Sequence, residues 1–239
     1  MVDPAANLLD RFPALLFDLD GVITPTVLVH LRAWRDAFDR VFAAHGAPPF
    51  TDADYFGALD GRPRFEGVAA LARARDLDLP AGQPTDVGFG TVWGIGNAKN
   101  RIFAELLAEG IAPYPGTVRL LDALRERGAA LGVVSSSRNA EAVLRAAGVR
   151  DRFRVVVDGV VAADEGLPGK PAPDTFLAAA ERLGFAPGDT AVFEDATSGV
   201  EAAARGSFGL VVGVDRGAGA AALRAAGADL VVADLGELV

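Results

Sequence analysis

Two aspartates stand one residue apart in Asp18-Leu19-Asp20-Gly21. Side chains two apart on an extended segment point the same way, so this pair could supply a nucleophile and a general acid/base to one substrate. An acidic loop with no chemistry has the same sequence. In Ser135-Ser136-Ser137-Arg138-Asn139, hydroxyls and free backbone N–H groups gather where a helix is predicted to begin, which suits a phosphate and equally suits N-capping. Gly169-Lys170-Pro171-Ala172-Pro173-Asp174 frames a lysine with prolines, each of which holds the preceding residue extended. A lysine so aimed can neutralise a phosphate or clustered carboxylates, or stand solvated in a turn. Glu194-Asp195 precedes Ser198-Gly199-Val200-Glu201, which reads as a capping box opening a helix. The two carboxylates could hold a hard cation such as Mg2+ or complement the helix dipole.

These groups need a frame that brings them together. The run Pro13 to Phe17 is short and apolar, as in a strand buried on both faces. Val27, Leu31, Trp34, Phe38 and Val41 then recur at steps of four and three before Gly46, which predicts an amphipathic helix with a left-handed stop. The stretch from Pro48 to Asn97 reads as short helices, and Ile102, Phe103, Leu106 and Leu107 mark another that stops at Gly110. Beyond Tyr114 a regular beat sets in. Strands are predicted over 130–134, 153–157, 190–193, 208–212 and 230–232, with helices over 118–127, 139–147, 174–183, 198–205 and 218–226. Alternation at this spacing means a parallel sheet with helices on both faces. All four motifs then follow strands, at the carboxyl edge where open sheets bind ligands. Carboxylates crowded there repel unless a divalent cation and a lysine join them, and the set describes magnesium-dependent phosphoryl transfer.

Composition narrows the class. The chain has 239 residues, 51% hydrophobic and 23% charged, enough for a core without staples. It has no cysteine, which excludes disulfides and thiolate chemistry. A net charge of -9 argues against a nucleic-acid partner. The opening MVDPAANLLDRFP lacks the basic n-region and apolar core of a signal peptide, and no apolar run is long enough for a membrane span. A soluble, cytoplasmic monomer is expected.

The ordered motifs FDLDGVIT, VVSSSRN, GKPAPDTF and FEDATSGVEAA resemble those of the haloacid dehalogenase superfamily, and within it the β-phosphoglucomutase-like subfamily. The resemblance implies a Rossmann-like doubly wound parallel sheet core, residues 1–26 and 112–239, with an inserted helical cap, residues 27–111. It implies that Asp18 is the nucleophile forming an aspartyl-phosphate, Asp20 the general acid/base, Ser135 a ligand of the transferring phosphoryl with Ser136 adding backbone contacts, and Lys170 the charge balance. Mg2+ would be held by the Asp18 carboxylate, the Asp20 carbonyl, Glu194 and Asp195.

His30, Arg64 in the GRPR loop, and Lys99-Asn100 resemble positions that orient a sugar phosphate, while Arg138 and Asn139 resemble those that bind a distal phosphate. Arg62 competes with Arg64, and each cap residue also reads as an ordinary helix-face or surface group. Thr24-Pro25-Thr26 departs from the family pattern at the cap entry, where proline fixes φ and removes a donor. The activity implied is a Mg2+-dependent phosphatase acting on a small sugar phosphate, with a hexose phosphate favoured. The alternative is a mutase interconverting β-glucose 1-phosphate and glucose 6-phosphate. A dehalogenase is disfavoured by Asp20, and a silent sugar-phosphate-binding module by the intact set Asp18, Asp20, Lys170 and Asp195.

Overall fold

The computed structural model describes residues 8–59, 62 and 64–239. Gly61 and Pro63 of the GRPR loop, and the first seven residues of the N-terminal segment, lie outside them. In chain order the main elements are β1 (Ala14–Phe17), α1 (Thr26–Ala44), α2 (Asp52–Asp54), α3 (Arg64–Ala74), α4 (Val92–Ala108), α5 (Pro115–Glu126), β2 (Ala130–Val134), α6 (Ala140–Ala146), β3 (Val155–Val157), α7 (Gly159–Asp164), α8 (Asp174–Leu183), β4 (Thr190–Glu194), α9 (Thr197–Arg205), β5 (Leu210–Val214), α10 (Ala220–Ala226) and β6 (Leu230–Val232). Two compact units result: residues up to Thr26 with Ile111–Val239, and Val27–Gly110. No described helix is long and apolar enough to cross a membrane.

In the first unit six strands form one sheet in the order β3-β2-β1-β4-β5-β6, all parallel. Every residue of β1 is buried, because the central strand of a parallel sheet has helices on both faces. Leu16, Val134, Val192, Phe176 and Val200 lie in one core cluster. On β1 and β4 the rings of Phe17 and Phe193 stack with centroids 4.5 Å apart. The register fixes the site: Phe17 pairs with Val133 and with Phe193, so Asp18, Val134 and Glu194 leave the sheet at one level.

The second unit has its own core, in which Trp34 and Phe38 of α1 meet Phe50, Leu71 of α3 and Ile95 of α4. Gly46 ends the α1 region at φ 64 and Gly110 follows α4 at φ 97, both left-handed stops that glycine adopts most easily.

Several sequence expectations shift. Val27, assigned to the apolar stripe, is exposed. Helix α4 starts ten residues before Ile102, because the Thr91 side chain accepts from Gly94 N. Gly96 is there for close packing, since a Cβ would stand 2.6 Å from the Phe65 ring. Strand β3 begins at Val155 rather than 153, after a 3-10 turn over Arg150–Arg152. Strand β5 starts at Leu210 rather than 208: Ser207 turns left-handed at φ 56 and Phe208 packs edge-on against Phe176. Helix α7 was not foreseen; its Val-Val pair looks strand-like, but the Asp158 side chain caps the Val160 and Val161 N–H groups.

Candidate active site

Asp18 follows β1 directly, and its N–H donates to Phe193 O at 2.9 Å, continuing the ladder one residue past the strand. Its side chain is 9% exposed and that of Lys170, from the loop before α8, is 8% exposed. Lys170 Nζ donates to Asp18 Oδ1 at 2.5 Å and to Glu194 Oε1 at 2.6 Å, and lies 3.3 Å from Val134 O. It therefore bridges the ends of β1, β2 and β4. The ammonium also lies 4.8 Å from the centroid of the Phe176 ring, a cation–π contact.

Burial favours the neutral amine, yet Asp18 and Glu194 outweigh it and hold the Lys170 pKa above its ordinary value. The lysine keeps its proton. Burial pushes the Asp18 carboxyl well up, against the pull of Lys170 and with the help of Glu194, Asp20 and Asp195. Burial also raises Asp20, which the hydroxyls of Thr26 and Ser135 partly offset by hydrogen bonding. Asp195 is pushed up to about 7, first by burial and then by Glu194 and Asp20.

One ammonium thus faces four carboxyl groups, a balance that favours a further cation. The available donors are hard oxygens. No three acidic side chains among the described residues close into a metal cage, but Mg2+ characteristically takes one or two carboxylates and keeps waters. Asp18 and Asp195 with the Asp20 carbonyl fit that pattern. Glu194 fits it less well, because its Oε1 accepts from Lys170 and its Oε2 from Ala196 N at 2.8 Å.

Glu194 also settles how α9 begins. The expected capping box at Ser198 is absent: the helix starts at Thr197, its N-cap Ala196 has no side-chain bond, and Glu201 pairs with Arg205 instead. A Cβ on Gly199 would overlap the Glu194 carboxylate, so glycine there lets the helix approach Glu194. Gly21 plays the same part at φ 80, where a Cβ would fall on Asp195 Oδ2.

Asp20 is half-buried, and Thr26 Oγ1 donates to its Oδ1. Sequence reasoning missed Thr26 as a site residue; its only signal was a hydroxyl six positions from the aspartate. Ser135 is buried, and its Oγ accepts from Ser137 N at 3.1 Å. Ser136 and Arg138 are exposed, and Asn139 is half-buried at the start of α6. The structure therefore gathers Asp18, Asp20, Ser135, Lys170, Glu194 and Asp195, with Ser136, Arg138 and Asn139 on the adjoining loop.

In the second unit, Lys99 Nζ stands 2.7 Å from His30 Nδ1, and the His30 ring stacks on Phe103 at 4.4 Å. Lys99 is buried, 5.0 Å from the Trp34 ring centroid. Burial, Lys99 and Arg64 lower the His30 pKa to about 3. The imidazole is therefore neutral, with Nδ1 accepting from the ammonium and Nε2 carrying the proton. Arg64 belongs to this electrostatic cluster, whereas Arg62 is exposed. Asn100 Oδ1 is buried without a hydrogen-bond partner among the described residues.

Comparison with known proteins points the same way. The sequence profile of the haloacid dehalogenase-like hydrolases matches residues 12–206. A β-phosphoglucomutase of Mycobacterium bovis is 44% identical, over 96% of this chain and 92% of that one. A fructose-1-phosphate phosphatase of Escherichia coli is 32% identical, over 81% of this chain and 92% of that one. The crystal structure of a putative β-phosphoglucomutase from Thermotoga maritima superposes with a TM-score of 0.75 at 27% identity, over 94% of this chain and 95% of that one.

Proposed function

Since the chain belongs to the haloacid dehalogenase-like hydrolase family, we propose that it is a phosphoryl-transfer enzyme working through an aspartyl-phosphate on Asp18, with a small sugar phosphate as substrate. The observation that carries this reading is Lys170 bridging Asp18 and Glu194 while Asp20 stands beside them, held by Thr26.

Lys170, the Ser135 hydroxyl and the Ser136 N–H gather the phosphoryl oxygens. An Asp18 carboxylate oxygen forms a bond to phosphorus as the ester P–O bond breaks, and Asp20 gives its proton to the departing alkoxide. In the second half Asp20 takes a proton from the incoming hydroxyl, which attacks phosphorus and releases Asp18. Asp18, the Asp20 carbonyl and Asp195 would hold Mg2+, which supplies divalent charge to offset the phosphoryl oxygens. Glu194 acts from behind, keeping Lys170 placed. His30, Arg64, Lys99 and Asn100 select the sugar, and Arg138 and Asn139 take a distal phosphate.

Hydrolysis results when the incoming hydroxyl is water. A mutase results when it belongs to a sugar, a second reading favoured by the 44% identity to the mycobacterial β-phosphoglucomutase across nearly the whole chain. A screen of sugar phosphates with Mg2+ identifies the substrate. Supplying β-glucose 1-phosphate with a trace of the 1,6-bisphosphate then separates the readings: glucose 6-phosphate marks the mutase, free phosphate alone the phosphatase. Turnover that persists in Asp18→Asn would overturn both.

A further inference from the structure

From Gly21 to Thr24, just after the proposed acid, each backbone carbonyl accepts a hydrogen bond. Thr24 O accepts from Gly21 N and Ile23 O from Tyr114 N, both at 2.9 Å. Val22 O accepts from Thr117 Oγ1 at 2.7 Å, and Gly21 O from Arg216 Nε at 2.9 Å. Loop carbonyls near a site's mouth can be left to water; here two distant segments are recruited to hold them.

Arg216 follows β5, and its other contacts aim it. The guanidinium carbon lies 3.8 Å from the Tyr114 ring centroid. Nη1 donates to Ala233 O at 3.0 Å, and Nη2 stands 3.7 Å from Asp234 Oδ2. Its side chain is only 22% exposed. Gly21 itself is at φ 80, and glycine has more freedom to leave such a conformation than any other residue. The conformation is thus kept by bonds on both sides of Gly21, its N–H to Thr24 and its carbonyl to Arg216. The Gly21 carbonyl belongs to the peptide that joins Gly21 to Val22, so its release would loosen the Gly21–Thr24 turn, whose Thr24 carbonyl holds the N–H of the peptide joining Asp20 to Gly21.

We propose that Arg216, supported by Thr117, is a positioning residue for proton transfer by Asp20. The inference rests on the assignment of Asp20 as general acid/base and extends it to two residues not placed in the substrate or phosphate contacts. Arginine suits the role because a planar fork serves the Gly21 and Ala233 carbonyls together, whereas lysine presents a single ammonium.

The test separates leaving groups that need a proton from one that does not. Single-turnover release of alcohol is followed for the sugar phosphate turned over fastest in the screen and for p-nitrophenyl phosphate, whose leaving group departs as a stable anion. Arg216→Ala and Thr117→Val are expected to slow the sugar phosphate by about 10–100-fold and p-nitrophenyl phosphate by less than about threefold. Thr117→Ser should restore the sugar phosphate rate, and Arg216→Lys should restore it only in part.

Equal losses on both substrates, or no loss on either, overturn the inference. Asp20→Ala is run beside them. If it shows the split and the positioning variants do not, only the positioning role falls. If it shows no split, the acid assignment falls and the positioning role with it. Should Arg216→Ala fail to fold by circular dichroism, the Thr117 pair decides alone.

Discussion

The Lys170 ammonium holds two carboxylates from different strands in place, so it belongs to the fold as much as to the chemistry. Truncation to Lys170→Ala leaves buried carboxylates without their partner, and in metal-free protein is expected to cost about 3 kcal/mol of stability, read as a lower urea midpoint. Asp18→Asn keeps a neutral isostere and should preserve the circular dichroism spectrum while lowering turnover by at least about 10^4-fold. His30 bears on pH. Its pKa is about 6.5 in the unfolded chain and about 3 in the folded one, so between these values the unfolded state binds the extra proton. Stability present at neutral pH therefore falls as the pH drops below about 6.5 and goes on falling to about 3. At pH 5 the loss is about 2 kcal/mol. Thermal melts from pH 7 to pH 5 should show it, and His30→Gln should flatten that slope.

Among the elements, what was legible in the sequence depended on whether one local signal determined the outcome. Strands β2 and β6 and helix α8 have the limits that their patterns predict, because a short apolar run between polar residues, or a 3.6-residue period, leaves little choice. The motifs at Asp18, Ser135 and Glu194 were legible for the same reason, each being adjacent to a strand end, whereas α7 separates the Lys170 loop from β3. Long-range contacts were not. Nothing near Ser198 announces that Glu194 occupies the start of α9, so a local capping pattern gave the wrong cap. Thr117 and Arg216 carry no local mark either, since the carbonyls they bond, those of Val22 and Gly21, lie 95 and 195 positions away. Gly199 supplies the test at this scale: a methyl there overlaps the Glu194 carboxylate and must push it from Lys170. Gly199→Ala should lower both melting temperature and turnover, whereas Gly188→Ala, with open space around it, should change neither beyond about 0.5 kcal/mol.

At the scale of the whole molecule, the two units bury separate apolar clusters, Leu16 and Phe176 in one and Phe38 and Ile95 in the other. Each cluster can fail on its own. Phe38→Ala and Phe176→Ala each remove a fully buried ring at a cost of about 3–5 kcal/mol. In calorimetry the first is expected to shift one component of the melt and the second another; a single cooperative peak moved equally by both would contradict that independence. The net charge of -9 also acquires a local meaning, because the site concentrates carboxylates around one lysine. The bond between Tyr114 N and Ile23 O bears on how such a chain can be built at all. It joins the strand of chain that leaves for Val27–Gly110 to the strand that returns, so the excursion is a polymer loop with its two feet clasped together. The entropy of closing a loop grows only logarithmically with its length. A longer, shorter or unrelated excursion could therefore hang from the same feet while the pairing of β1 with β2 remained undisturbed.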